Sequence, residues 1–322
     1  MTEKSVVSVG LVTWNSANRL PDCLNGLHQQ NYSNIELIVV DNASADDSVV
    51  ILNRHYANHV IIQNAENMGY CKAHNQAIRA SKGKYYLALN PDVIMDPEYI
   101  TSMVETLEEH PDCGSAAGKL FQTPVEVTPR LIDTTGLFIN RHRRQFLRGH
   151  GEEDQAQYDI TGEVFGVDGA APLYRRKMLE DIKIDGQYFD EQFFAHKEDV
   201  DLAWRAKLFG WRCWYSPQAT AFHPRTFRPS RRKSVSPEIR IPAVKNRYLL
   251  MIKNESPATF RRDVLRILSY DMQILVYIIL FERSSMVAFR LLLKQLPTAR
   301  NWRMQIWDRV KARENEILTW FS

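Results

Sequence analysis

Three acids, Glu198, Asp199 and Asp201, open the segment EDVDLAWRAKLFGW, whose apolar spacing through Trp204 and Leu208 predicts a helix. Acids in a helix's first turn interact favourably with the positive end of its dipole, by roughly 0.3 to 1 kcal/mol each. Asp201 and Arg205 are also spaced as an i, i+4 pair of the sort that stabilises a helix surface. Capping alone accounts for the cluster. The alternative is chemistry: a carboxylate at a helix start, standing at the edge of a cleft, can take a proton from a hydroxyl group, an effect of roughly 10²- to 10⁴-fold. Two further acids close apolar runs. Asp41 follows IELIVV, where it can accept hydrogen bonds from a nucleobase or a ribose, and Asn90-Pro91-Asp92 follows YYLAL, where its oxygens can place a hard divalent cation. Both also read as turn chemistry, because Asp-Asn-Ala-Ser suits a helix entry and Asn-Pro closes a strand. His223, after the apolar run ATAF, reads first as a hydrogen-bonded structural histidine.

The elements that must position these residues follow from the periodicity. VVSVGLVTW, IELIVVD, HVIIQNA and KYYLALN alternate with the helix-like stretches ANRLPDCLNGLHQQ, DDSVVILNRHYA and GYCKAHNQAIRASKG. That alternation predicts successive βα units on a parallel sheet, an α/β fold. Ligands of such sheets sit beyond the carboxyl ends of the strands, which here are Thr13 to Asn15, Asp41 to Ser44, Asn64 to Asn67 and Asn90 to Asp92. Neither G-x-G-x-x-G nor G-x-x-x-x-G-K-[ST] occurs, which excludes a dinucleotide-binding first turn and a P-loop. After residue 110 the short strand candidates GSAAGKLF, LIDTTGLFIN, RQFLRG and VFGVDGAAPLYRR lead to the acidic helix, followed by WRCWYSP and ATAFHP.

With 322 residues, 44% of them apolar, the chain can bury a large core. Its four cysteines lack C-x-x-C spacing, so neither a zinc site nor a disulfide framework is expected, and a reducing cytosol fits best. No basic region followed by a long apolar stretch opens the chain, so no secretory signal is expected. The net charge of +3 hides a polarity: residues 1–223 hold 21 Lys+Arg against 30 Asp+Glu, and the remaining 99 hold 20 against 8. An acidic body joined to a basic segment suggests a partner that is anionic.

Six segments in one order, VGLVTWNSANRLPDCLNGL, IELIVVDNASADDS, ENMGYCKAHNQAI, YYLALNPDV, GAAPLYRRKML and FFAHKEDVDLAWRAKLFGW, resemble the family-2 glycosyltransferases with a GT-A fold. The Asn-Pro-Asp and Glu-Asp-Val-Asp forms are more narrowly similar to the bacterial rhamnosyltransferases that build surface polysaccharides. The resemblance spans residues 6 to about 250. It implies a mixed, mostly parallel sheet flanked by helices, with a catalytic domain at 1–224; basic, Ser- and Pro-rich composition then predicts an active-site loop or linker at 225–250, and helical patterning an extension at 251–322. The implied activity is metal-dependent transfer of a sugar from a nucleotide-sugar donor, best matched by dTDP-L-rhamnose, to a saccharide acceptor carried on a polyprenyl diphosphate.

Residue by residue, the resemblance makes Asp199 the base, with Glu198 orienting the acceptor or tuning the pKa of Asp199, and leaves Asp201 to pair with Arg205. One base and one displacement imply inversion at the anomeric carbon. Asp41 would meet the nucleobase with Thr13 and Asn15 nearby, and Asn67, Gly69 and Lys72 would start a helix against the donor. Asn90-Pro91-Asp92 stands where the family has Asp-x-Asp. Asp92 would then ligate Mg2+ or Mn2+, whereas Asn90 keeps an oxygen but loses a charge, which weakens the metal site. His223 would be a second ligand, and an imidazole tolerates Mn2+ better than Mg2+. Asp168, Gly169 and Ala170 would hold the donor sugar, small residues leaving room for the ring, and Arg247 in KNRYLL joins the donor set.

The C-terminal third admits several readings. Arg225, Arg228, Arg231, Arg232, Lys233, Lys245 and Arg247 could close over a diphosphate, or form a solvated loop. VLRILSYDMQILVYIILF, residues 264–281, would extend about 27 Å as a helix. Arg266 and Asp271 interrupt it, so an amphipathic helix lying on a membrane, or a core or homodimer helix, is expected rather than a span. Arg283, Arg290, Lys294, Arg300, Arg303 and Arg309 suit an anionic leaflet, placing the chain on the cytoplasmic face of a membrane. No stacking-aromatic motif accompanies the basic tail, so nucleic acid is not an expected partner. A sugar-nucleotide-binding scaffold without turnover is the rival to an enzyme, and Asn90 is its one support.

Overall fold

The computed structural model describes residues 4–55, 60–225 and 237–321. Strands β1 (Val7–Thr13), β2 (Ile35–Asp41), β3 (Val60–Gln63) and β4 (Tyr85–Leu89) lie parallel in the order β4-β1-β2-β3, crossed over by α1 (Leu20–His28), α2 (Ser48–His55) and α3 (Gly69–Ala80). The pairing of β1 with β2 sets Thr13 opposite Asp41 at their shared carboxyl end. β4 is buried along its whole length, and its unbroken apolar run is what a strand covered on both faces requires. Val7, Val9 and Leu11 pack on one face against Leu24 and Leu27 of α1 and Ile100 and Met103 of α4 (Tyr99–Glu109). The opposite face, with Ile38, Val40, Tyr86 and Ala88, is covered by α3.

The second half of the sheet brings distant residues together. β6 (Cys113–Phe121), β11 (Leu173–Arg175) and β12 (Arg212–Phe222) continue it beyond β4. β11 runs antiparallel between β4 and β6, and the residues before it therefore lie along the end of β4: Asn90 N donates to the Ala170 carbonyl across 2.9 Å. β12 runs parallel to β6 and pairs with the short β5 (Ile94–Met95), Phe222 opposite Ile94. The residue after Phe222 thus arrives beside Asp92. β7 (Ile132–Thr134) pairs with the end of β6, while β8 (Leu137–Ile139) and β9 (Gln145–Leu147) form a separate hairpin. β10 (Gly162–Val164) closes the edge on β12, and α5 (Arg176–Ile182) follows β11. The two strands expected from WRCWYSP and ATAFHP are one, with an irregularity between Tyr215 and Thr220.

The acidic helix, α6 (Glu198–Leu208), is not a surface helix: all 11 of its residues are buried. Asp201 and Arg205 do pair, at 3.6 Å, but inside the protein. Lys253 completes the compensation, its ammonium 2.9 Å from Asp201 and 2.6 Å from Asp190. Lys253 belongs to α7 (Pro237–Asn254), so the segment expected as a loop to residue 250 is helical from Pro237, with Pro242 inside the helix. α8 (Pro257–Phe281), α9 (Val287–Trp307) and α10 (Glu314–Thr319) complete the chain. Trp302 and Ile306 of α9 and Phe321 sit in the same core as Trp204 of α6. Residues 251–321 are therefore built onto the catalytic core rather than set apart from it.

Candidate active site

A cleft of about 610 Å³ opens beyond the carboxyl ends of the central strands. One wall carries Asn90 and Asp92 from the end of β4, Asp168 to Ala170 from the approach to β11, and His223 and Arg225 from the end of β12. The lining also includes Glu198 and Asp199 at the start of α6, with Tyr70, Ala195 to Lys197, and Arg144 to Leu147 around the β8–β9 hairpin. Strand and helix ends more than a hundred residues apart thus share one cavity.

The acids are held by backbone. Asp199 accepts from Gly169 N at 3.3 Å and Val200 N at 2.7 Å, and Tyr70 donates to the Gly169 carbonyl at 2.8 Å. Burial, with the Asp168 carboxylate nearby, raises the Asp199 pKa to about 6. Burial and the neighbouring Asp199 push Glu198 well above the ordinary range for a carboxylic acid. One buried Glu198 oxygen, Oε2, has no hydrogen-bond partner among the described residues. Burial disfavours the charge of both acids, and a pair whose environments shift their two acids upward together is suited to divide the roles of base and proton holder. A Cβ added at Gly169 would lie 3.5 Å from the Tyr70 hydroxyl and 3.6 Å from Glu198 Oε1, so any larger side chain would fill the space before the acids.

The loop leading into α6 is strained. Phe194, His196 and Lys197 adopt positive φ of 63, 68 and 70°, a region costly to residues with a Cβ. Asn246 of α7 holds it, its amide donating to the carbonyls of Phe193, Ala195 and His196 at 2.9, 2.9 and 2.7 Å. Gly69 at the start of α3 makes the other clamp. Its φ is 78°, and a Cβ there would lie 2.5 Å from the Phe194 ring, so only glycine fits.

Asp92 sits between two cations: Arg19 Nη1 at 3.3 Å and His223 Nε2 at 3.5 Å. Burial works to raise its pKa, but the hydrogen bond and charge of His223, with Arg19, hold it below the ordinary value. Burial opposes the charge of His223 as well; its bonds to Asp133 and Asp92 prevail and raise its pKa to about 9. Asp133, fully buried, accepts from His223 Nδ1 at 2.8 Å and from Arg225 Nε at 2.9 Å. Arg225 also reaches Asp168 at 3.0 Å. Ligand atoms of Asp133, Asp168 and His223 lie within 4.8 Å of one another. Asp133 is already committed to His223 and Arg225, which leaves Asp92, Asp168 and the His223 imidazole as a donor set that fits a hard divalent cation and, through the imidazole, Mn2+ better than Mg2+.

Of the residues expected at the site, Asn90, Asp92, Asp168, Gly169, Glu198, Asp199 and His223 line the cleft. Thr13, Asn15 and Asp41 gather at the neighbouring ends of β1 and β2, outside its lining. Asp41 is buried and accepts from the Ser44 amide at 3.0 Å and hydroxyl at 2.6 Å, which is the turn chemistry weighed against its binding role, and Asn15 Oδ1 accepts from Ala45 N. Asn67 caps the turn into α3 by accepting from Gly69 N, and Lys72 follows on that helix. Arg247 does not reach the donor side. Its guanidinium is buried against Asp271 at 2.8 Å and the carbonyls of His142 and Arg143. Lys245 is likewise bonded to the Gln192 carbonyl. Arg228, Arg231, Arg232 and Lys233 lie outside the described residues. Arg19, Tyr70, Asp133 and Asn246 were not legible as site residues in the sequence.

A helix-flanked, mostly parallel sheet whose end carries an Asn-x-Asp, a histidine and a Glu-Asp pair defines the GT-A class. The chain belongs to glycosyl transferase family 2, whose family model matches residues 8–183. Among relatives, it is 21% identical over 215 residues to the poly-beta-1,6-N-acetyl-D-glucosamine synthase of Staphylococcus epidermidis, covering 66% of this chain and 48% of that protein. It is 22% identical over 211 residues to the synthase of the same name from Staphylococcus aureus strain MSSA476, covering 65% and 47%. The chain thus spans about half the length of these relatives. S. aureus TarS superposes with a TM-score of 0.57 at 20% identity over 97% of this chain and 50% of that one. The mannosyltransferase PcManGT from Pyrobaculum calidifontis, in complex with GDP-Man and Mn2+, superposes at 0.55 with 16% identity over 95% and 85%.

Proposed function

We propose that the protein transfers a sugar from a nucleotide-sugar donor to a hydroxyl of a saccharide acceptor, with inversion at the anomeric carbon. The observation that carries this reading is the single cleft lined by Asp92 and His223 together with the Glu198–Asp199 pair. Asp92 and His223, with Asp168 beside them, would hold Mn2+ or Mg2+; when bound, the metal neutralises charge on the donor's diphosphate. Asp199, ionised above about pH 6, takes the proton of the acceptor hydroxyl as it attacks. Glu198, whose charge burial disfavours, hydrogen-bonds the acceptor. Asp168 and Gly169 border the space for the donor sugar, and Asp41 with Thr13 and Asn15 offers the base-binding edge.

The Asn-Pro-Asp and Glu-Asp-Val-Asp forms favour L-rhamnose from dTDP-L-rhamnose, and a saccharide on polyprenyl diphosphate as acceptor, in the assembly of a cell-surface polysaccharide at the cytoplasmic face of the membrane. Complexes of structural neighbours with UDP-GlcNAc and with GDP-Man and Mn2+ support a nucleotide-sugar donor in general. A thermal-shift panel of nucleotide sugars with Mn2+ or Mg2+ tests the reading, because a ligand that binds only the folded state raises its stability. Thymidine or uridine diphosphate sugars are expected to give the largest shift with metal present. Stabilisation by adenine or nicotinamide compounds instead would overturn it.

A further inference from the structure

The apolar face of α8 is turned outward. Leu265, Leu268, Met272, Val276, Ile279 and Leu280 recur at steps of one, three and four residues along one side and are all exposed, Leu265 by 80% and Leu280 by 61%. The side packed on the protein carries Asp263, Ile267 and Ile278. A solvated surface helix has the opposite arrangement, and a contiguous exposed apolar strip marks a contact surface. Over its 25 residues the helix extends about 37 Å.

The charges say what covers it. Three acids occur between Ser256 and Trp307, and each is engaged inward: Asp263 with Arg143 at 3.0 Å, Asp271 with Arg247 at 2.8 Å and Glu282 with Arg240 at 3.7 Å. Arg261, Arg262 and Arg266 at one end of the strip, and Arg283 and Arg290 beyond the other, are exposed. A second copy seated on this face would bring cations to cations, with these acids already engaged inward. A bilayer-spanning α8 would have to tear Asp263 and Asp271 from their arginines.

We propose that this face docks on an anionic lipid surface, with α8 lying in the plane of the interface, its apolar side chains among the acyl chains and its arginines at the headgroups. The cleft opens beside it: Tyr270 of α8 lies 6.0 Å from the guanidinium of Arg144, which lines the cavity. The inference rests on the surface alone and not on the donor or the reaction.

Co-sedimentation of the full chain with vesicles tests it, using phosphatidylcholine alone and phosphatidylcholine mixed with phosphatidylglycerol. Binding is expected to the mixed vesicles only, and to weaken as salt rises. Leu268→Glu combined with Val276→Glu should abolish it, and Arg261→Gln and Arg266→Gln should each weaken it about fivefold. These side chains are exposed, so each variant should melt as the parent does. Equal binding to both vesicle types, or binding indifferent to the substitutions, overturns the proposal. So does a chain that ignores vesicles but sediments as a dimer which the two glutamates dissociate.

Discussion

Asp133 accepts a hydrogen bond from His223 Nδ1 across 2.8 Å, and the other ring nitrogen of His223 faces Asp92 at 3.5 Å. A buried carboxylate behind an imidazole fixes which nitrogen points into the site and strengthens it as a ligand. Asp133→Asn is therefore expected to weaken Mn2+ binding by about 10- to 100-fold, the range for losing such a partner. Calorimetric titration of Mn2+ in the presence of a nucleoside diphosphate measures it; unchanged affinity would make Asp133 a purely structural anchor for Arg225.

Asp199→Asn removes the proposed base while keeping shape. Transfer should fall by about 10²- to 10⁴-fold, with the folded state intact by circular dichroism. In the parent, kcat/KM should drop on the acid side through about pH 6, where Asp199 takes up a proton. Full transfer by the variant would remove Asp199 from the mechanism.

The same residue costs stability. Its native pKa of about 6 lies above the ordinary 3.8, so the native state disfavours its charge. The penalty is absent below pH 3.8 and complete above pH 6. Asp199→Asn should therefore stabilise the protein by about 3 kcal/mol at pH 7.5 and by about half as much at pH 5. Urea unfolding at the two pH values reads the difference.

Asn246 touches no cleft residue's carboxylate, yet its amide satisfies the carbonyls of Phe193, Ala195 and His196 in the strained approach to α6. Asn246→Leu leaves those carbonyls without their donor, a loss of about 1 to 3 kcal/mol. Transfer should fall through kcat, with the pH limb near 6 unmoved, since the base itself is unchanged.

Much of the sheet and half of the site were legible in the chain. The parallel strands β1 to β4 announce themselves by apolar runs and polar ends, and the motif segments carry Asp92, Glu198 and Asp199 into one cleft. Asp133 was not legible because its position depends on β7 pairing with β6 beside β12, a long-range event that the short run LIDTT does not encode. A lone acid inside an apolar strand candidate was the one available signal. The i, i+4 spacing of Asp201 and Arg205 gave their contact but not their burial, because α7 and α9, which cover α6, come later in the chain. Arg247, expected in the donor set, packs against Asp271 for a similar reason: that partner sits on a helix whose docking only tertiary packing decides.

Lys253 lies between Asp190, which caps the turn before the strained approach, and Asp201, one turn into the helix that begins with Glu198 and Asp199. With Asn254, which donates to Asp201 at 2.7 Å, the Lys253 ammonium ties α7 to that helix. An engineer who trims α7 therefore removes a buried partner of the very helix that bears two of the cleft's acids.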